Sequence, residues 1–186
     1  MKKITKIFVA IIAVGILASA QMSVKGQAFE KGDMVGNVGL GFGWYGYGYG
    51  LGSGSALPFI SVSLEKGFFD IPSINSVISI GGLAGLKHGS YGFENYSFND
   101  IVIAARGAIH ADIFKVEKLD TYAGVIAGLR IHNENLPESS FYDGDYTHLL
   151  GGAFIGTRYY FTEKFAVYGE LGAGTGYLNL GVSLKF

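Results

Sequence analysis

The chain has 186 residues, 30 of them glycine, with 15% aromatic content, three prolines and no cysteine. The missing cysteine excludes a disulfide framework and thiol chemistry. The 14 basic against 15 acidic residues, a formal net charge of -1, leave no basic patch to meet nucleic acid. The length fits one domain, and the glycine and aromatic contents exceed what a soluble core needs, whereas a barrel with aromatic girdles uses both.

Lys2, Lys3 and Lys6 form a basic start, and Ile7 to Leu17 is an apolar run broken only by small residues. Ala18-Ser19-Ala20 then offers a small-x-small cleavage site, so residues 1–20 read as a secretory signal peptide. A later site, Gly26-Gln27-Ala28, stands just before Phe29 and leaves the cut open as far as residue 28. The apolar run is shorter than the ~20 residues a membrane helix needs. Removing residues 1–20 takes three lysines and no acid, so the 14 basic residues become 11 against 15 acidic and the mature chain is mildly acidic. Residues 29–186 remain as one domain.

Beyond the leader the dominant period is two, the signature of strands. Val38, Leu40, Phe42 and Trp44 alternate with Asn37, Gly39, Gly41 and Gly43, and Ile60, Val62 and Leu64 alternate with Ser61, Ser63 and Glu65. A third strand runs from about Val77 to Lys87, its phase blurred by Gly81, Gly82, Ala84 and Gly85. The fourth sets Ile103, Ala105, Ile109, Ala111 and Ile113 against Arg106, Ala108, His110 and Asp112. The fifth opposes Ala123, Val125, Ala127 and Leu129 to Gly124, Gly128 and Arg130, and the sixth opposes Ala153, Ile155, Thr157, Tyr159 and Phe161 to Gly152, Gly156 and Arg158. A seventh begins at Phe165 with Val167, Leu171 and Ala173 outward and Glu170, Gly172 and Gly174 inward.

The connections alternate in length. Segments 45–56, 88–100 and 132–147 are long and rich in Gly, Tyr, Asn and Asp, whereas 70–76, 115–120 and 162–164 are short. Transmembrane barrels place short turns on the periplasmic side and long loops outside. The last connection, Gly174-Thr175-Gly176, is the exception, short where a long loop is expected. Phe68, Phe69, Phe114, Tyr122, Tyr159, Tyr160, Phe161, Phe165 and Phe186 gather at the predicted periplasmic rim, and Trp44, Tyr45, Tyr91, Phe98 and Tyr146 near the outer one, as aromatic girdles do. Unpaired strand edges in hydrocarbon cost several kcal/mol per group, so the sheet should close.

The final strand completes an even set of eight. Leu178, Leu180, Val182, Leu184 and Phe186 alternate with Asn179, Gly181, Ser183 and Lys185, and the chain ends on the aromatic ring. This spacing resembles the terminal insertion signal of Gram-negative outer-membrane β-barrels, with Asn179, Gly181, Leu184 and Phe186 at its key positions. Over the mature length the pattern is similar to the small eight-stranded barrels of the OmpA transmembrane-domain and OmpX type, within the wider porin family. The resemblance implies an all-β, antiparallel, meander transmembrane barrel in the outer membrane, delivered by the barrel-assembly machinery and surrounded by lipid and lipopolysaccharide. It carries no active-site motif and implies no cofactor.

The charged residues on the small-residue faces form the main constellation. Glu65, His110, Arg158 and Glu170 fall at similar depth, with Asp112 lower and Arg106 higher. On the lipid side an Arg at mid-membrane would cost ~2–4 kcal/mol; inside, these groups can pair and fill a lumen that eight strands leave just wide enough for side chains. Gly41-Phe42-Gly43-Trp44-Tyr45-Gly46 matches G-x-G-x-x-G, but Tyr47 to Ser55 cannot start the helix a dinucleotide site needs. That Gly/Tyr tract reads as a flexible outer loop or, more sharply, as a sticky contact surface. His88, His132 and His148 near Ser90, Ser97, Ser139, Ser140, Asp143 and Asp145 match no catalytic spacing, and Asp143-Gly144-Asp145 lacks the ligand count of a calcium loop. The leading expectation is a non-enzymatic barrel that is structural or presents loops 45–56, 88–100 and 132–147 to an extracellular ligand. A narrow channel or lateral gate for small or hydrophobic solutes is the alternative, and a lipid-modifying enzyme comes third.

Overall fold

The structure, a computed structural model, describes residues 28–43, 55–90, 97–135 and 145–186. The expected leader, Trp44, Tyr45, Tyr91 and the Gly/Tyr tract before Ser55 lie outside the described residues. The strands are β1 (Met34–Phe42), β2 (Ser55–Ala56), β3 (Phe59–Ile71), β4 (Ser76–Ser90), β5 (Ser97–Ala111), β6 (Leu119–Asn135), β7 (Tyr146–Tyr160), β8 (Phe165–Gly172) and β9 (Leu178–Lys185). They form one antiparallel sheet in the order β2-β4-β3-β1-β9-β8-β7-β6-β5, closed by the pairing of β4 with β5. β2 is a two-residue piece on the β3 side of β4, paired with Gly89 and Ser90 and separated from β3 by Leu57 and Pro58. The barrel therefore has eight staves, each beside its neighbour in sequence, with β9 meeting β1 to complete the ring.

The register fixes the stagger. From Leu40 one route runs through Ile60, Leu86, Ile101 and Ile131 to Thr147 on β7. The other runs through Leu180 and Gly169 to Thr157 on the same strand, so the stagger is the interval from Thr147 to Thr157, ten residues. Eight strands with that stagger tilt by about 40°.

Burial is inverted relative to a soluble protein. The outward phase carries Leu40, Val62, Leu64, Ile103, Val125, Ile155 and Leu171, all exposed, while Glu65, Arg106, His110, Asp120 and Arg158 are buried on the inward phase. An apolar wall around a polar lumen is stable where the solvent is hydrocarbon, because the closed sheet satisfies its own amides and the charges face one another. This is a transmembrane β-barrel. Phe68, Phe69, Phe114, Tyr159, Phe161 and Phe186 are exposed at one rim as expected of a girdle. Tyr122, Tyr160 and Phe98 are instead buried, because they fall on the inward phase of β6, β7 and β5.

The glycines explain how large rings fit inside so narrow a ring of staves. A Cβ on Gly39 would run into the Tyr168 hydroxyl, and one on Gly156 would strike the Tyr122 ring. Small residues on one stave thus seat the aromatics of others, as the interior of a small barrel requires.

Two features differ from the sequence expectation. β4 to β7 have 15 to 17 residues and carry 88–90, 97–100, 132–135 and 146–147 as strand, so much of the expected long loops is wall. The 174–176 connection is buried and folds over the lumen: a Cβ on Gly174 would meet Ile126, and the Thr175 carbonyl lies against Gly41.

Candidate functional site

Each stave contributes a polar side chain to one lattice in the lumen. Arg158 of β7, fully buried, reaches across to Glu65 of β3 (Nη2 to Oε1, 2.5 Å) and donates to Asp120 of β6 (Nη1 to Oδ2, 2.8 Å). It also donates to Ser183 of β9 at 3.2 Å and to Asn37 of β1 at 3.3 Å, and Ser183 itself donates to Asn37 at 2.7 Å. The guanidinium lies 5.0 Å from the centre of the Tyr122 ring. Arg106 of β5 donates to Glu170 of β8 at 2.8 Å, and Tyr122 donates to the same carboxylate oxygen at 3.0 Å. Arg106 also stands 4.5 Å from the Phe154 ring. His110 of β5 bridges Asp120 (Nδ1, 2.9 Å) and Ser79 of β4 (Nε2, 2.9 Å), and Ser79 donates to Glu65 at 3.2 Å.

Of the residues singled out in the sequence, Glu65, Arg106, His110, Arg158 and Glu170 thus come together. Asp112 does not. β5 ends at Ala111, so Asp112 lies in the following turn, where its buried Oδ1 has no hydrogen-bond partner. Asp120, across that turn at the start of β6, takes the place expected of Asp112. The alternation that includes Asp120, Tyr122 and Arg130 on β6 was the available signal.

Ser79, His110 and Asp120 have the contact order of a hydrolytic triad. Their surroundings do not fit that chemistry. All three are at most 2% exposed, the Ser79 hydroxyl is committed to Glu65, and Phe29 stacks on the imidazole with ring centres 4.0 Å apart. Ser79 also lies inside the wall, in register with Gly67 of β3 and Ala108 of β5.

Above this lattice sits an apolar layer. Phe59, Leu83, Val102 and Ala104 form one cluster, Ala108, Tyr122, Ile126 and Phe154 a second, and Leu150 touches both. A second polar group follows toward the long ends of the staves. Arg130 grips Asp100 through two parallel bonds of 2.9 and 2.7 Å, and His132 contacts Asp100 at 2.7 Å and Glu134 at 3.0 Å. Rings stack along the same wall, His132 on Tyr146 at 4.6 Å and Tyr146 on His148 at 5.5 Å. The alternation points Arg130 inward and the loop pattern puts His132 at the rim; Asp100, which the sequence expectation does not single out, shares the inward phase of β5 with Arg106. Among the described residues, no group of three or more His, Asp or Glu side chains could hold a metal ion.

The terminal positions are split by phase. Asn179 is buried and paired with Gly41, and Gly181 lies under the Tyr168 ring. Leu184 and Phe186 are exposed on the lipid side, and the Phe186 amide donates to the Met34 carbonyl at 2.9 Å.

No protein-family model matches the chain, and no curated protein matches it in sequence. Among solved structures it is similar to the Yersinia pestis outer membrane protein Ail in a phospholipid bilayer nanodisc, at 11% identity and a TM-score of 0.49, covering 84% of this chain and 100% of that one. It is similar to the N-terminal β-barrel domain of Pseudomonas aeruginosa OprF at 19% identity and a TM-score of 0.46, covering 84% and 98%. A de novo designed transmembrane β-barrel is similar at 15% identity and a TM-score of 0.39, with the same coverage of 84% and 98%.

Proposed function

We propose that the protein is a non-enzymatic integral barrel of the outer membrane, closed to solutes, whose work is done by its wall and its outward ends. The observation that carries this reading is the lattice around Arg158. One polar side chain from every stave is drawn to the axis, leaving guanidinium and carboxylate groups bonded to each other rather than to permeating water. Such a lumen stiffens the ring and marks which face of each strand belongs inside, since turning an Arg to lipid costs ~2–4 kcal/mol.

The amino-terminal segment, the short turns and the chain's end share one rim, which we assign to the periplasm. The extended ends of β4 to β7 then rise on the extracellular side, where the Gly/Tyr tract and the other loop segments would meet a ligand or the lipopolysaccharide surface. β9, pairing with β8 and β1, is the strand whose capture by the assembly machinery would complete insertion.

Planar-bilayer recording of the purified barrel tests the closed lumen. No sustained conductance is expected at moderate voltage. Stable single-channel steps would overturn the reading in favour of a narrow channel, and a change in lipid A mass on expression would overturn the non-enzymatic part.

A further inference from the structure

Residues 28–33 turn back into the periplasmic mouth, where Ala28 and Phe29 are buried while Glu30, Lys31 and Gly32 face outward. Ala28 packs on Tyr160 and Ala166, and Phe29, with no exposed surface, packs on Val35 and Val77 beneath the His110 ring. The backbone is tied as firmly as the side chains. Gly32 donates to the Gly67 carbonyl at 2.9 Å, and Gly67 donates back to Asp33 at 3.0 Å. Lys185, near the other end of the chain, donates to the Ala28 carbonyl and to Asp33, each at 3.1 Å. Gly67 has no room for a side chain here, since a Cβ would sit 2.7 Å from the Glu30 carbonyl oxygen.

We infer that this segment is the fixed stopper of the mature barrel and that the leader is cut upstream of Ala28, not after it. The inference rests on reading the amino-terminus as a signal peptide. A cut after Ala28 would remove the carbonyl that Lys185 holds and turn the Phe29 amide into an ammonium. In a peptide unit the carbonyl oxygen and the next nitrogen are about 2.2 Å apart, which puts the new cation no more than about 5.5 Å from the Lys185 ammonium. It would belong to a residue with no exposed surface and stand beside a Lys185 ammonium that is itself paired with Asp33. A cut after Ala20 creates none of these conflicts.

The full chain, produced with its own leader in a Gram-negative host and extracted from the outer membrane, is to be examined by intact mass and amino-terminal sequencing. A first residue at or before Ala28, Gln21 for a cut after Ala20, is expected. Phe29 as first residue overturns the inference; an intact Met1 overturns the signal-peptide reading beneath it. A second comparison joins an efficient leader directly to Gln21 or to Phe29. The Phe29 form should lose its heat-modifiable gel mobility at a lower temperature, and Lys185→Met should narrow that gap by removing the like charge. Equal temperatures for the two forms would overturn the structural role given to Ala28.

Discussion

Arg158 and Glu65 are 93 positions apart in the chain and 2.5 Å apart in the barrel. They stand on β7 and β3, four places apart in the ring of eight staves and hence opposite one another. The pair is a diameter of the barrel. Removing one end of such a buried, hydrogen-bonded ion pair leaves the other charge without its counter-ion, at a cost of about 3–5 kcal/mol. Arg158→Ala should therefore lower the temperature at which the folded, fast-migrating gel form is lost. An unchanged temperature would show that the lattice does not hold the wall together.

The two aspartates flanking the β5–β6 turn should behave oppositely. Asp120 receives the Arg158 guanidinium and faces His110, so Asp120→Asn should cost several kcal/mol, on the order of a broken buried pair. Asp112 has a buried oxygen with no partner, so Asp112→Asn removes a charge without breaking a bond there and should leave the barrel at least as stable as the parent. Urea-induced unfolding in lipid vesicles compares them, and equal losses would refute the assignment.

Gly39 and Tyr168 are predicted to be coupled through space. Gly39→Ala alone pushes a methyl group toward the Tyr168 hydroxyl and should destabilise the barrel. Tyr168→Phe removes the obstructing oxygen, so the double variant should be more stable than the sum of single effects by about 1 kcal/mol or more. Simple additivity in the cycle would argue against this close packing.

Phe186→Ala should separate assembly from stability. The ring is exposed to lipid, while the residue's amide bond to Met34 does not depend on it. We expect a smaller share of the chain to reach the membrane in its heat-modifiable form, and the share that does to melt near the parent temperature. A normal yield would mean that the terminal aromatic plays no part in delivery.

The parts of this architecture legible in the sequence are those that obey a period of two. Leu178 to Phe186 reads directly as β9, and the phase that puts Ile103 and Ile109 outside puts Arg106 and His110 inside. The period alone does not say where a ladder stops, which is why Asp112 stood in for Asp120. Height along the strand suits Tyr122 and Tyr160 to a girdle, but their phase points inward. The ends of β4 to β6 resembled loops because His88, Asn99 and Asn133 make their outward face polar. The Phe29 stopper has no periodic signal, since Phe29 is held by Val35 of β1, Val77 of β4 and His110 of β5, and Ala28 by Lys185 of β9.

The unequal staves have a consequence for the surrounding membrane. β8 and β9 have eight residues each, whereas β6 has 17. Eight residues at a tilt of about 40° rise about 20 Å, short of the ~25 Å apolar band that such barrels present. Lipid beside β8 and β9 must compress to meet that low flank, while lipid beside β5 and β6 need not. The protein thereby carries a built-in lopsided mismatch, which favours thin bilayer on one side of it and gives neighbouring molecules a preferred side from which to approach.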